Sequence, residues 1–280
     1  MSDAISSAVR RIIDAALAED VGRGDITTEA LVPRTARATA DVVAREPLVA
    51  CGIDFARQVF RRLSRSVRFS GVRRDGERVE AGGVLFTVEG PARALLTAER
   101  TALNLLQRLC GVATAARRAA DAVEGTGAAV LDTRKTTPGW RVLEKYAVAC
   151  GGGQNHRQGL FDAVLIKDNH LAYRRGMRLR DAVAAARAAC PGKKIEIEVD
   201  TFAQLRDALE GAPDWILLDN FRPARLRRAV ALCRGKAKTE ASGGITLATL
   251  RAHAETGVDA VSLGALTHSA RAVDIALDFR

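Results

Sequence analysis

Arg134, Lys135, His156, Arg157 and Lys167 fall within one stretch, Leu131 to Leu171 (LDTRKTTPGWRVLEKYAVACGGGQNHRQGLFDAVLIKDNHL), set among runs of apolar residues. Charges at the ends of hydrophobic strands are tolerated only when paired. The set is therefore expected to face an anionic ligand bearing carboxylates or phosphates. Further along, Glu198 and Asp219 close the successive apolar runs KIEIEVD and DWILLDN as single carboxylates. Such sparse carboxylates suit a Mg²⁺ ion held through water, or sugar hydroxyls, because Mg²⁺ takes one or two carboxylates beside its substrate oxygens. Glu196 lies on the same strand face as Glu198 by the period-2 rule and is a rival for the role. Ser242, Gly243 and Gly244, with Leu263, Gly264 and Ala265, offer backbone N–H groups with little side chain in the way. Followed by helices, they would form an anion nest for a phosphate, to which His268, expected at the adjacent helix start, could contribute.

Six short apolar runs carry these groups: AAVLDT at 128, DAVLIKD at 162, KIEIEVD at 194, DWILLDN at 214, AKTEASGG at 237 and VDAVSLGA at 258. Between them lie Ala-, Leu- and Arg-rich stretches of helical period, so the pattern predicts parallel βαβ units. In a (β/α) barrel the C-terminal strand ends line one mouth. The polar groups that end the six runs would then converge there. The first hundred residues read differently. Ile5, Ala8, Val9, Ile12, Ile13, Ala16 and Leu17 have helical spacing. Alternating segments at 38 to 44 and 84 to 88, with turns at Asp75-Gly76 and Gly82-Gly83, predict short antiparallel strands around a helix from Phe55. A long helix from Pro91 to Cys110, with Gly111 as its C-cap, closes this α+β unit.

With 43 basic against 33 acidic residues the net charge is +10, which raises nucleic acid or an acidic small molecule as partner. The cations are dispersed among Asp and Glu, and only 12 aromatics are available to stack on bases, so the small molecule is favoured. Only seven of the cations are lysines, and none precedes Lys135. A compact ammonium in an arginine-dominated chain is a choice of chemistry, which singles out Lys135 and Lys167. Lys193, Lys194, Lys236 and Lys238 read as solvated surface residues. The same lack of early lysines rules out a covalent carrier role for DGERVEAGGVLFTVEG, which has the look of a biotinyl or lipoyl hairpin. Five dispersed cysteines without C-x-x-C spacing suggest reduced thiols in a cytoplasm. The four histidines make no zinc motif, and no apolar leader or membrane span is evident.

The segments GRGDITTEAL, ERTALNLLQRLCGVAT, DTRKTTPGWRVLEKYAV, GGGQNHRQGLFDAVLIKDNH, EIEVD, ILLDN, EASGGI and GVDAVSLGALTHS, in that order from about Asp20 to the C-terminus, resemble the quinolinate phosphoribosyltransferase family. The resemblance implies an N-terminal α/β sandwich (residues 1–110, with 270–280 packing back on it) and an open seven-stranded α/β barrel (111–269), assembled as a homodimer or a hexamer of dimers. It implies transfer of phosphoribosyl from 5-phosphoribosyl 1-pyrophosphate to quinolinate with Mg²⁺ and decarboxylation. Nicotinate mononucleotide, pyrophosphate and CO₂ would be the products. Arg134, Lys135, His156, Arg157 and Lys167 match the family's substrate-binding positions, Thr133 adjoining them. Arg100 matches an arginine that reaches into the partner's site. Catalytic roles fall to Lys135, Lys167, Glu198 and Asp219, the lysines acting electrostatically. Lys167 in IKDNH favours this family over the related molybdenum-transport-associated phosphoribosyltransferase-like proteins. A basic nucleic-acid-binding module is the alternative of another class.

Overall fold

A computed structural model describes residues 3–173 and 176–280, with side chains from Ser7 onward, so Ile5 of the first apolar stripe lies outside the described side chains. The chain divides into two compact units, residues 1–117, 136–152 and 266–280 forming one and residues 118–135 and 153–265 the other.

The first unit opens on α1 (Asp3–Val21), which buries Val9 and Ile13 of the expected stripe. The turn after it supplies Asp25, whose carboxylate accepts the Thr28 amide at 2.9 Å and caps α2 (Ile26–Leu31). Next come β1 (Arg37–Ala44), β2 (Leu48–Val49), α3 (Ile53–Leu63), β3 (Arg68–Ser70), β4 (Arg78–Val79) and β5 (Val84–Pro91). The expected turn at Asp75-Gly76 does structural work at a distance. Asp75 accepts the amides of Gly52 at 3.0 Å and Ile53 at 3.2 Å, satisfying donors at the start of α3. Phe60 on α3 meets Phe69 and Phe86 edge-on at centroid distances of 6.2 and 6.3 Å, each pair adding about 0.5–1.5 kcal/mol beyond burial. The chain's last strand, β12 (Ile275–Phe279), pairs antiparallel with β1 to complete the four-stranded order β12-β1-β5-β3.

The long helix departs from expectation. α4 (Ala92–Ala122) runs straight through Gly111, which is therefore no C-cap. A Cβ at Gly111 would lie 2.0 Å from the carbonyl oxygen of Arg271, so glycine is required by close backbone approach. Gly111→Ala is accordingly expected to destabilise the protein by about 1–3 kcal/mol through overpacking, although alanine is the better helix former by about 1 kcal/mol. Thermal denaturation of that variant measures the sign directly.

One segment of the expected barrel groups with the first compact unit. Residues 136–152, placed in the barrel by the sequence, belong to the first unit. Their helix, α5 (Arg141–Cys150), buries Leu143, Glu144, Lys145, Ala147 and Val148 there. Glu144 is the anchor: it accepts Arg108 Nε of α4 at 3.1 Å, the Thr137 amide at 3.0 Å and the Thr137 hydroxyl at 2.8 Å.

In the second unit all six expected strands form: β6 (Ala129–Leu131), β7 (Val164–Ile166), β8 (Ile195–Val199), β9 (Trp215–Asp219), β10 (Lys238–Ser242) and β11 (Ala260–Ser262). They pair in parallel in the order β6-β11-β10-β9-β8-β7. The helices between them are α6 (Asp168–Ala172), α7 (Leu179–Ala189), α8 (Phe202–Glu210), α9 (Pro223–Cys233) and α10 (Leu247–Ala254), with the single turn α11 (Ala265–His268) after β11. Beyond β6 the sheet continues only as one parallel bridge, Leu131 to Gln154. Seven strands were expected; the seventh position is reduced to that bridge because it follows the run Gly151-Gly152-Gly153, which has no side chains to pack on a pleated face. Among the described residues no helix is long and apolar enough to cross a membrane.

Candidate active site

The strands of the second unit close on the residues the sequence singled out. Thr133, Arg134 and Lys135 follow β6, and Lys167 follows β7. Glu198 is the penultimate residue of β8, Asp219 and Ser242 are the last residues of β9 and β10, and Leu263, Gly264 and Ala265 follow β11. The register sets Asp219 directly beside Ser242. Parallel pairing thus gathers these groups on the C-terminal edge of the sheet.

Lys167 Nζ pairs with Glu198 Oε2. Asp219 is close enough to feel both: burial first, then the Glu198 charge, raise its pKa above the usual carboxylate value, while Lys167 and a hydrogen bond from Asn220 oppose the rise. Asn220 donates to Asp219 at 2.7 Å and its amide donates to the Ser242 carbonyl at 2.9 Å, which ties the two strand ends together. Gly243 is demanded here. Its φ is +92°, and a Cβ would stand 2.3 Å from Asn220 Oδ1. Gly244 follows at φ +59°, a second residue in the left-handed region that glycine adopts without strain. Two carboxylates, a lysine and a glycine turn can hold a hydrated divalent cation and a polyhydroxylated, phosphorylated ligand.

Arg134 and Arg157 form a second group of functional candidates, close enough for their charges to interact. Burial first, and the nearby Arg134 charge second, lower the pKa of the Arg157 guanidinium, with Glu196 and Asp162 opposing. Like charges brought this close are what a site for an anion requires. The Lys135 amide donates to Thr133 Oγ1 at 3.1 Å, and its side chain is exposed. His156 stands apart from the other cations, for its ring is engaged inside the barrel. Nε2 lies 3.0 Å from Glu196 Oε2 and 3.4 Å from Glu240 Oε2, while Nδ1 accepts the Arg157 amide at 2.6 Å. That amide needs the Nδ1 lone pair, so the ring proton sits on Nε2 facing the carboxylates. Burial alone would lower the His156 pKa, but the hydrogen bonds and charges of Glu196 and Glu240 outweigh it and carry it to about 10. Because Nδ1 accepts the Arg157 amide, the proton gained is held on the carboxylate side, shared among Nε2, Glu196 and Glu240. The Glu196 pKa is itself raised by burial, so the titration belongs to the three groups together. The sign for stability follows. The unfolded histidine loses its proton near pH 6.5 while the folded cluster keeps one to about 10, so the folded state binds more protons between these values. This contribution is fully present below pH 6.5 and lost as pH rises through about 10. Melting temperature should fall across that window, and His156→Gln should flatten the fall.

Glu196, the rival carboxylate, is thus committed to His156, and Glu198 is the one beside Lys167 and Asp219. Arg100 lies exposed on α4 in the first unit. His268 was expected to start a helix; instead it ends α11, a single turn beginning at Ala265, and its Nδ1 lies 2.6 Å from Ser269 Oγ. Sequence reasoning passed over Glu240, Arg108, Glu144 and Lys145. Glu240 was within reach, since in KTEAS the period of two places it on the same face as Ser242. Lys145, 1% exposed, interrupts a helical repeat in which no local signal marks it as buried.

The models of the quinolinate phosphoribosyl transferase N-terminal and C-terminal domains match residues 25–110 and 112–278. The chain therefore belongs to the quinolinate phosphoribosyl transferase family. It is 46% identical to nicotinate-nucleotide pyrophosphorylase (carboxylating) of Mycobacterium leprae over 99% of both chains. To the chloroplastic enzyme of that name from Oryza sativa subsp. japonica it is 39% identical, over 96% of this chain and 77% of the other. The structure of the nicotinate-nucleotide pyrophosphorylase from Francisella tularensis superposes with a TM-score of 0.92 at 39% identity, covering 98% of this chain and 96% of that one.

Proposed function

We infer that this protein is a carboxylating nicotinate-nucleotide pyrophosphorylase, transferring phosphoribosyl from 5-phosphoribosyl 1-pyrophosphate to quinolinate and releasing pyrophosphate and CO₂, a step in de novo NAD synthesis. The observation that carries the reading is the Lys167–Glu198 pair with Asp219 near it at the ends of β7, β8 and β9; Arg134 and Arg157, close enough for their charges to interact, supply the cations for an anionic substrate. A dicarboxylate offers each guanidinium a charge-assisted partner, worth roughly 1.5–3 kcal/mol per bond. Lys135 adds a further cation to the loop that carries Arg134. The pyridine nitrogen attacks the anomeric carbon as pyrophosphate leaves, through an oxocarbenium-like state, so the side chains act by positioning and charge stabilisation. Glu198 and Asp219 accept the ribose hydroxyls, and Gly243 and Gly244 offer their amides to the 5′-phosphate. Mg²⁺, held by Glu198 and Asp219 through water, would neutralise the pyrophosphate. A partner-donated Arg100 in a homodimer, or a hexamer of dimers, completes the proposal. Five free thiols support a cytoplasmic setting. Neither the molybdenum-associated nor the nucleic-acid-binding alternative gains a supporting observation.

Calorimetric titration tests the dicarboxylate directly. Quinolinate is expected to bind at least about tenfold more tightly than nicotinate, which lacks one carboxylate. Equal affinities would overturn the assignment of both arginines to carboxylates.

A further inference from the structure

Residues 155–163, which include Arg157, form no regular secondary structure. Backbone that forms no ladder must find its partners elsewhere, and here side chains provide them. The His156 amide donates to Asp132 Oδ1 at 2.8 Å, and the amides of Gln158 and Gly159 donate to Asp162 at 2.6 and 2.9 Å. The Arg157 amide itself rests on His156 Nδ1 at 2.6 Å, and its guanidinium donates to the Ala163 carbonyl at 3.3 Å. The orientation of the His156 ring therefore decides where Arg157 stands. That ring is held by Glu196 of β8 and Glu240 of β10, which are 7% and 1% exposed.

Two carboxylates in the interior of a barrel are costly unless something depends on them. The cost is visible: Glu196 Oε1 is buried with no hydrogen-bond partner among the described residues. It lies on a cavity of about 170 Å³ that Arg157 and the first residues of β6, β7 and β9 (Ala129, Val164 and Trp215) also line. A metal ion could be reached by His156, Glu196 and Glu240 together, whose ligand atoms lie within 4.8 Å of one another. The hydrogen bonding at Nδ1 argues against it. A metal-bound imidazole donates its other N–H to an acceptor, whereas here Nδ1 faces the N–H of Arg157.

We propose that Glu196 and Glu240 are positioning residues for the reaction, acting through His156 to fix the backbone and guanidinium of Arg157 where a substrate carboxylate is received. This rests on the function inferred above. Packing does not account for the pair, since aliphatic residues would fill the same layer without desolvating two charges. Neither carboxylate needs to touch substrate, and the effect should appear in substrate binding more than in the chemical step.

The test is a double-mutant cycle on steady-state kinetics with quinolinate and 5-phosphoribosyl 1-pyrophosphate. Glu240→Gln keeps the shape of the side chain and removes its charge. It is expected to raise KM for quinolinate by about tenfold, the scale of a small misplacement of one charged contact, while KM for the sugar donor stays within about twofold. In an Arg157→Ala background the same substitution should have no further effect, because residues acting as one unit are non-additive. Glu196→Gln repeats the cycle if Glu240→Gln does not fold. A tenfold penalty that persists in the Arg157→Ala background, an equal rise in both KM values, or an unchanged KM for quinolinate would each overturn the proposal. Wild-type protein without turnover would overturn the function and this inference with it, whereas wild-type turnover with additive variants would overturn the inference alone.

Discussion

Arg157→Ala lowers kcat/KM at least about tenfold with the fold intact, and Arg134→Ala does the same. Each removes one member of a guanidinium pair close enough for its like charges to oppose one another. Removal of one relieves that repulsion in the free protein, so ligand-free stability should hold or rise. The expected signature is divided: thermal stability unchanged or improved, catalytic efficiency lost. Circular dichroism and steady-state kinetics on the two variants read both halves. Near-normal kinetics in both would contradict the assigned roles. Lysine at 157 should recover only part of the loss, since an ammonium cannot supply the planar fork of a guanidinium.

Glu144→Ala is expected to have the largest effect on stability. Its carboxylate is fully buried, while Arg108 remains 23% exposed at the side chain. Besides Glu144, Arg108 donates to the carbonyls of Thr267 and Ala270, so one guanidinium and one carboxylate join α4, α5 and the segment that leads into β12. Breaking a buried pair by removing one partner costs about 3–5 kcal/mol, which corresponds to a fall in melting temperature of roughly 10 °C for a domain of this size. The exposed pair Arg37–Glu89 makes the contrast, with both side chains about half exposed and a contribution of at most about 1 kcal/mol. Glu144 also holds Thr137, two residues after Lys135. The variant should therefore lose activity at temperatures well below its melting transition. Differential scanning calorimetry beside an activity profile separates the two effects.

The parallel sheet was legible because each strand is a short apolar run with a polar end, a pattern set by burial on both faces. The candidate site was legible for the same reason: Lys167, Glu198, Asp219 and Ser242 are where the hydrophobic period stops. What stayed hidden depends on distance. Gly111 looked like a cap because glycine ends helices, and only the approach of Arg271 from 160 residues away explains why it sits inside one. Residues 136–152 stand between two strands of the sheet in sequence, yet they group with the first compact unit. The Arg108–Glu144 pair that ties them to the first unit leaves no periodic trace. His156 was read as a substrate-binding cation from its neighbours in sequence, and the partners of its ring, Glu196 and Glu240, come from strands 40 and 84 residues further on.

The most direct measurement mixes the purified protein with quinolinate, 5-phosphoribosyl 1-pyrophosphate and Mg²⁺ and follows nicotinate mononucleotide and released CO₂ by chromatography and trapping, with nicotinate replacing quinolinate in a parallel reaction. Nicotinate mononucleotide and CO₂ in equal amounts from quinolinate, with no mononucleotide from nicotinate, is the expected result. A folded protein that makes no mononucleotide from quinolinate, or makes it equally well from nicotinate, would contradict the assignment.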